Sequence, residues 1–292
     1  MRHAILGPGG VGGLIGACLA KTGASVTLVV RPEALEQYPR QLQLESPFGN
    51  FTVPVERAAQ VPPVDVLWVA VKATQLETAL RSIPAANTAD AIVPLLNGID
   101  HVALLRSRYG ADRVFPATIA GETERVAAGH IVHRSPFARL NVAGRARERL
   151  SGTLDQFQQM GFICKFIDDE ATLLWSKLAL LAPLALTTSA AGAPKGEIAT
   201  NPRWREQLES CVREACTVAK AEGARVDPEV GLAALMSLPD AMRSSMQKDI
   251  ERGNPPELDA IGGPILRGGE RHGIPVPVTR GLVTMVERKV RS

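Results

Sequence analysis

The chain has 292 residues, of which 45% are hydrophobic and 22% charged. This is the composition of a folded globular protein long enough for two domains. Its 33 basic and 30 acidic side chains leave a formal charge of +3, a balance that argues against a nucleic-acid-binding surface. The four cysteines and five histidines are scattered and lack the paired spacing of a metal site. We therefore expect no metal and a reduced, cytoplasmic setting.

A glycine-rich hexapeptide follows the first predicted strand, residues 4–6. Apolar residues then repeat at helical spacing over 14–20, and a β-branched strand follows at 26–30. This order of strand, glycine turn, helix and strand is the context of the dinucleotide-binding motif G-x-G-x-x-G. The residues that fit the motif are Gly7, Pro8, Gly9, Gly10, Val11 and Gly12.

Each motif glycine has a predicted role. Gly7 permits the tight turn, Gly9 lets the backbone approach a pyrophosphate, and Gly12 lets the helix pack closely on the strand. The alternatives are a tight turn in some other α/β protein and a lipoprotein signal ending at Cys18. The density of glycine between Gly7 and Gly13 makes a poor signal helix.

The end of the second strand bears on which nicotinamide nucleotide is used. An acidic residue there binds the ribose 2′-hydroxyl of NAD, whereas an arginine accommodates the 2′-phosphate of NADP. The strand ends at Val30 and is followed by Arg31, with Glu33 as the first acid. The pattern therefore favours NADP, although Arg31 as a solvated surface residue is the alternative.

The chain alternates strand-like and helical stretches up to about residue 167, which predicts an α/β fold with a mainly parallel, doubly wound sheet. Runs 131–133 and 140–142 form an antiparallel hairpin in an alternative interpretation. After Asp168 the β-branched runs stop and helix formers dominate. We predict a Rossmann-type NADP-binding domain at 1–167 and an all-helical substrate and catalytic domain at 168–292. The apolar run 178–193 is better explained as a buried helix than as a membrane span.

Three polar residues stand where chemistry is expected. Lys72 and Asn97 each follow a predicted parallel strand, at the sheet edge where cofactors bind. Lys177 is one cation among apolar neighbours, and burial would lower its pKa toward a value useful for proton transfer. The alternatives are a solvated lysine at 72, a plain Asn-Gly turn at 97 and a lysine at 177 whose head reaches water.

At this point the chain resembles a known family, the ketopantoate reductases or 2-dehydropantoate 2-reductases. The resemblance covers nearly the whole length. It is carried by motifs that occur in the family's order: the loop 7–12, Val71-Lys72, Asn97-Gly98, Trp175-Ser176-Lys177-Leu178, Lys195-Gly196-Glu197 and the segment from Ser244 to Glu257. It implies an N-terminal Rossmann domain, a helical C-terminal domain, and reduction of 2-dehydropantoate by NADPH in pantothenate biosynthesis.

The resemblance also implies residue roles. Lys177 would donate the proton to the substrate carbonyl oxygen, and Ser245 would bind the substrate. Lys72, Asn97 and Glu257 would hold the cofactor, with Asn97 also near the substrate. Segment 118–129 is expected to border the cofactor, with no contacts assigned.

The sequence departs from the family at three substrate-binding positions. Asparagines expected one and two helical turns after Lys177 are replaced by Leu181 and Ala185, and a third is replaced by Lys195. Because lost hydrogen bonds weaken recognition, these positions suggest a more apolar 2-oxo acid, with Lys195 offering a cation to its carboxylate.

Two further classes of protein remain as alternatives. One is a non-catalytic NADP-binding sensor, which has no chemical need to keep Lys177, Ser245 and Glu257. The other is a hydroxyacid or opine-type dehydrogenase, which predicts NAD and a catalytic histidine. The expected partner is a small-molecule 2-oxo acid, with no nucleic acid and no membrane. Oligomeric state stays open, a homodimer included, because apolar helices suit a core and an interface equally.

Overall fold

The computed structural model of the chain describes residues 1–84 and 89–291. They form two compact units. The first comprises Met1–Leu96 and His101–Asp168, and the second comprises Asn97–Asp100 and the chain from Asp169 onward. Residues 97–100 fall within the first domain predicted from the sequence because they follow one of its strands, but their contacts lie with the helical unit.

The first unit combines strands and helices. Within the described residues its strands are β1 (Arg2–Leu6), β2 (Ser25–Val29), β3 (Gln41–Glu45), β4 (Phe51–Pro54), β5 (Glu56–Ala58), β6 (Val66–Val69), β7 (Ala91–Pro94), β8 (Ala117–Ala120), β9 (Thr123–Ala127), β10 (His130–His133), β11 (Arg139–Ala143) and β12 (Ile163–Ile167). Its α-helices are α1 (Gly10–Lys21), α2 (Leu76–Ala79), α3 (His101–Tyr109) and α4 (Arg147–Gln159).

Five strands form a wholly parallel sheet in the order β5-β2-β1-β6-β7. The register pairs Leu6 with both Val29 and Val69, and pairs Val69 with Pro94. The carboxyl ends of four strands therefore lie level at one edge. Chain order reverses at β1, which has β2 on one side and β6 on the other, and ligands of such sheets bind beyond the carboxyl ends at this reversal.

Helix α1 packs between this sheet and a second one, of order β4-β3-β10-β9. Its small residues make the packing close. A Cβ on Gly13 would strike Ile131 of β10, and one on Gly16 would lie 3.3 Å from both Ile5 and Leu42. These apolar side chains belong to one buried core that also includes Leu14. The glycines after the motif thus serve packing between two layers.

The predicted α/β fold class is confirmed, but the strands are divided among three sheets. The third has the order β12-β11-β8, with β11 parallel to β12 and antiparallel to β8. The alternative hairpin of 131–133 with 140–142 is wrong, because β10 pairs with β3 and β9. The β3–β4 hairpin, whose alternating Leu42 and Leu44 are buried, was not predicted from the sequence. The Gly49-Asn50 turn was a usable signal.

The second unit is all-helical across its described residues. Its helices are α5 (Glu170–Ala191), α6 (Lys195–Thr200), α7 (Pro202–Ala221), α8 (Pro228–Met236), α9 (Ser245–Glu251), α10 (Leu258–His272) and α11 (Pro277–Arg291). Asp169 caps α5 by accepting a hydrogen bond from the Thr172 N–H at 3.1 Å, and Gly192 ends the helix at a φ of 71°. Negative charge at this end is also favoured by the helix macrodipole.

Helix α5 is the central element of this unit. By length and composition its 22 residues could cross a membrane, but 61% of its most apolar window is buried inside the structure, as in the core helix of a soluble protein. Leu178, Ala182 and Leu186 lie in a single core with residues of α7, α8, α10 and α11. This agrees with the buried helix predicted for 178–193.

Candidate functional site

The glycine loop lies at the carboxyl edge of the parallel sheet. Gly7 follows β1 at a φ of +89°, and a Cβ there would lie 2.9 Å from the backbone nitrogen of Val71. The Gly9 N–H donates to the Gly7 carbonyl at 2.7 Å, and α1 begins directly afterwards at Gly10. Only glycine combines this φ with this close approach.

The remaining loop residues divide into packed and open positions. Gly12 is buried against the Gly7 carbonyl and Ile5, with no room for a Cβ. Pro8 is also buried, and its carbonyl accepts from the Tyr38 hydroxyl at 3.3 Å. By contrast, a Cβ on Gly9 would meet nothing within 4 Å. Gly9, Gly10 and Val11 keep partial exposure, so open space adjoins the first turn of α1.

Segment 118–129 contacts this loop. A Cβ on Gly10 would lie 2.7 Å from the carbonyl oxygen of Thr123, the first residue of β9. From the sequence, the segment is expected near the cofactor, without a specific contact. The structure identifies Thr123 as a residue beside the first turn of α1.

Two basic residues lie along the same sheet edge. Arg31 comes two residues after β2, and its side chain is 83% exposed with Glu33 at 3.6 Å. An exposed ion pair at this distance contributes little, so the guanidinium is accessible to an anion. Lys72 follows the Val71 that packs on Gly7, and it is partly exposed.

A chain of hydrogen bonds joins three side chains of the second unit. The Lys177 Nζ of α5 donates to Asn97 Oδ1 at 3.1 Å, and Asn97 Nδ2 donates to Glu257 Oε2 at 3.0 Å. Glu257 is buried directly before α10. An amide is suited to the middle position because it accepts with its oxygen and donates with its nitrogen. All three residues are site candidates from the sequence, and the structure brings them together.

Burial and charge act in opposite directions on Lys177. The nearby side chains of Trp175 and Leu178 in α5 are each 2% exposed. Burial lowers the pKa of Lys177 from its ordinary 10.5 to about 8, while the Glu257 carboxylate raises it. Desolvation disfavours the ammonium and a nearby anion favours it. The result is an amine that still carries its proton at neutral pH and releases it readily.

The turn that carries Asn97 is held against α10. Gly98 adopts a φ of +82°, and a Cβ there would strike the Ala260 carbonyl. Two residues later, Asp100 pairs with Arg267 of α10, which also donates to Asp259 at 2.7 Å. Asn97 is therefore positioned by the same helix that follows Glu257. Asp100 and Arg267 were not singled out from the sequence, where they are 167 residues apart.

We expect Gly98→Ala to damage both folding and the hydrogen-bond chain. Positive φ at a non-glycine residue costs about 1–3 kcal/mol, and the clash with Ala260 must also displace Asn97. Gly223→Ala is the matched control, because Gly223 has a φ of +88° and nothing within 4 Å of its added Cβ. Thermal unfolding should show a loss in both variants, larger in Gly98→Ala. If both lost equal stability and kept activity, the contact with Ala260 would have no role in the site.

The residues proposed to bind substrate are placed very differently. Ser245 is the exposed first residue of α9. Leu181, one turn after Lys177, is partly buried beside the core, whereas Ala185 is 0% exposed within it. A residue without accessible surface cannot line a binding site, so Ala185 is withdrawn from the substrate-contacting residues. The helical stripe 177, 181, 185 runs from a partly open position into the core.

Lys195 has a different partner from the one expected. It is 3% exposed, and its Nζ donates to Asp240 Oδ1 at 2.7 Å and to the Met236 carbonyl at 3.1 Å. Its charge is therefore already paired inside the unit. The expectation that Lys195 offers a cation to a substrate carboxylate is replaced by an internal ion pair, which the sequence separation of 45 residues concealed.

No group of three or more potential metal ligands among His, Cys, Asp and Glu occurs in the part of the chain that the structure describes.

Comparisons with known proteins match both units. The sequence pattern of the family Ketopantoate reductase PanE/ApbA matches residues 3–145, and the pattern of Ketopantoate reductase PanE/ApbA C terminal matches residues 171–290. The 2-dehydropantoate 2-reductase of Caulobacter vibrioides is 31% identical over 297 residues and is covered to 97%, as is this chain.

Solved structures share the whole fold. The PanE/ApbA family ketopantoate reductase from Ralstonia eutropha JMP134 superposes with a TM-score of 0.88 at 26% identity, covering 100% of this chain and 99% of that one. A D-mandelate dehydrogenase with NADH and anilino(oxo)acetate gives a TM-score of 0.86 at 21% identity, with 100% and 99% covered. At 21% identity, the similarity to the D-mandelate dehydrogenase establishes the fold alone.

Proposed function

Because the chain belongs to the ketopantoate reductase family, we propose that it reduces a 2-oxo acid with a nicotinamide nucleotide and that Lys177 donates the proton. The hydrogen-bonded series of Lys177, Asn97 and Glu257 carries this proposal. A pure binding protein has no need for a desolvated amine held by an amide and a buried carboxylate. The retained amine therefore argues against the non-catalytic sensor.

The residues around the glycine loop fit a dinucleotide. The open space beside Gly9 and the N–H groups of the first turn of α1 suit a pyrophosphate. We propose that Gly7, Pro8, Gly9, Gly10, Val11 and Gly12 form the phosphate site, with Arg31, Lys72, Asn97 and Glu257 as further cofactor contacts. A bound nicotinamide nucleotide supplies the hydride.

Lys177 has the properties of a general acid. Negative charge develops on the carbonyl oxygen of a 2-oxo acid as it is reduced, and a nearby ammonium stabilises and then protonates it. With a pKa of about 8 the Nζ is mostly protonated at neutral pH. Asn97 Oδ1 accepts one N–H of Lys177, which orients the amine and leaves its other protons for the substrate.

We expect the reduction to lose activity as the pH rises through about 8, the pKa of Lys177. The protonated amine is the active form, so kcat/KM should be level below that pH and fall about tenfold per pH unit above it. The reverse oxidation needs the neutral amine and should show the opposite dependence. This is checked by measuring kcat/KM against pH for both the reduction and the oxidation. If both values changed in the same direction with pH, the expectation would be contradicted.

We expect Arg31→Ala to weaken the binding of NADPH but not that of NADH. A charged hydrogen bond to the 2′-phosphate is worth about 1.5–3 kcal/mol, or roughly tenfold or more in Kd, whereas NADH lacks that phosphate. Arg40→Ala is the matched control, since Arg40 is similarly exposed and paired with Glu56 at 3.4 Å. Titration of each variant with both nucleotides measures the effect. Equal weakening of NADPH and NADH by Arg31→Ala would rule out the phosphate contact.

The substrate proposed first is 2-dehydropantoate, reduced to pantoate in pantothenate biosynthesis. Ser245 supports this substrate, because its hydroxyl is exposed and available to bind it. The alternative is a paralogous reductase for another 2-oxo acid, and the apolar Leu181 one turn beyond Lys177 favours that reading. The D-mandelate dehydrogenase of the same fold holds anilino(oxo)acetate, an oxoacetate with an aromatic group.

A panel of 2-oxo acids tests the function directly. Purified protein is given NADPH or NADH with 2-dehydropantoate, aliphatic 2-oxo acids and an aryl oxoacetate, and nucleotide oxidation is followed by absorbance. Efficient turnover of 2-dehydropantoate supports the first substrate, and turnover of an apolar 2-oxo acid alone supports the paralogue. Nucleotide binding without any turnover would favour the sensor.

The four cysteines form no disulfide, which supports the cytoplasmic location we propose.

A further inference from the structure

Lys195 is a buried cation whose partner is exposed. Its side chain is 4% exposed, against 84% for the side chain of Asp240. Burying an ammonium is costly unless it is paired and hydrogen-bonded. Both conditions are met, because Nζ donates to Asp240 Oδ1 and to the carbonyl of Met236, the last residue of α8. The lysine thereby ties the start of α6 to the segment between α8 and α9.

Backbone contacts reinforce the same attachment. The Lys195 N–H donates to the Met242 carbonyl at 2.8 Å, and the Gly196 N–H donates to the Asp240 carbonyl at 2.9 Å. A Cβ on Gly196 would lie 2.7 Å from the Cβ of Asp240. The start of α6 and the chain between α8 and α9 are therefore in direct contact through both their backbones and the ion pair. We call residues 237–244 the α8–α9 segment.

The far end of the α8–α9 segment is attached to α5. Ser244 Oγ lies 2.9 Å from Thr188 Oγ1, and both side chains are buried. Ser244 also caps α9 by accepting from the Gln247 N–H at 3.1 Å. The next residue is Ser245, which is exposed. Two attachments, one to α6 and one to α5, thus determine where Ser245 stands.

We propose that Lys195 and Asp240 form a positioning pair that holds the α8–α9 segment and so presents Ser245 to the 2-oxo acid. The substrate part of this inference rests on the proposed function. Lys195 does not contact substrate in this arrangement, and its charge is neutralised by Asp240. An asparagine expected to bind substrate directly has been exchanged for a lysine that acts through a neighbouring segment.

Asp240→Asn separates positioning from direct binding. If Lys195 bound the substrate carboxylate, removing its internal partner would leave substrate affinity unchanged or improved. Positioning predicts the opposite: KM for the 2-oxo acid rises about tenfold while kcat changes less than about twofold, and the Kd of NADPH is unchanged. Lys195→Met should act in the same direction, and Asp240→Glu should restore most of the affinity because it keeps the carboxylate.

Arg243→Gln is the matched control. Arg243 lies in the same segment and pairs with Glu251 at 2.7 Å, but both side chains are at least 40% exposed. Exposed pairs contribute little, so we expect an unchanged KM. A rise in KM equal to that of Asp240→Asn would mean that any charge change in the segment disturbs the site, and would overturn the specific role of the Lys195 pair.

Limited proteolysis provides a readout without turnover. Trypsin cleavage after Arg243, followed by mass spectrometry, should be faster in Asp240→Asn and Lys195→Met than in the unmodified protein and Asp240→Glu. Cleavage at the unmodified rate in both variants would overturn the proposal, whatever the KM. If no 2-oxo acid is turned over, the proposed function fails separately, and accelerated cleavage would still establish that the pair holds the segment.

Discussion

Lys177→Ala is expected to lower kcat by about 10²–10⁴-fold, the usual contribution of a positioned general acid. The substitution removes the ammonium that hydrogen-bonds Asn97 and leaves the glycine loop of the other unit unchanged. The Kd of NADPH should therefore remain within about twofold, since the lost interaction belongs to the transition state. Single-turnover reduction with saturating NADPH measures the chemical step directly.

Lys220→Ala is the control for that experiment. Lys220 lies on the exposed face of α7 in the same unit, so its loss changes net charge equally without touching the hydrogen-bonded series. We expect its turnover to be normal. A Lys177→Ala enzyme with most of its turnover would mean that another group delivers the proton. The pH dependence should also disappear in Lys177→Ala, because the titrating amine is gone.

Gly9→Ala is expected to weaken nucleotide binding, whereas Gly12→Ala is expected to destabilise the fold. The added methyl at Gly9 meets no protein atom within 4 Å, and the backbone there is extended at a φ of −81°, so folding should be unaffected. The methyl would instead enter the space proposed for the pyrophosphate. We expect the Kd of NADPH to rise at least about tenfold, equivalent to about 1.4 kcal/mol, with an unchanged Tm.

Gly12→Ala should mainly lower the free energy of unfolding, with a smaller effect on the binding of NADPH. Its Cβ would strike the Gly7 carbonyl and lie 2.9 Å from Ile5 Cγ2, and overpacking of this kind costs about 1–3 kcal/mol. Gly152→Ala in α4 is the reference, since its Cβ also meets nothing within 4 Å. A helical glycine replaced by alanine gains about 0.5–1 kcal/mol. Denaturant unfolding and nucleotide titration of all three variants separate the effects, and a fall in Tm for Gly9→Ala would remove the open-site argument.

The α/β order of the first unit could be predicted because its signals are local. The motif from Gly7 to Gly12 requires a strand before it and a helix after it, and β1, α1 and β2 occur there. The buried strand β6 is an unbroken apolar run in the sequence, Val66–Val69. The division into three sheets could not be predicted, because strand pairing joins residues far apart, such as His130 with Gln43.

The candidate site was predictable to the same extent. In the sequence, Lys177 is a cation among apolar neighbours and Asn97 is a polar residue at a strand end. Their contact with each other and with Glu257 spans up to 160 residues of chain. No spacing rule predicts it. Membership of Asn97 in the helical unit depends on Gly98, which lies against Ala260 of α10, and on Asp100, which pairs with Arg267 of the same helix.

The sequence by itself determined the alternation of strands and helices, the glycine loop and the choice of Lys177 as the proposed proton donor, because each depends on residues within one or two turns. Only the tertiary structure decided what surrounds those residues. Spacing put Leu181 and Ala185 on the face of Lys177 but could not tell that Ala185 is enclosed by the core. Nor could it pair Lys195 with Asp240, since burial and ion pairing depend on which distant segments meet.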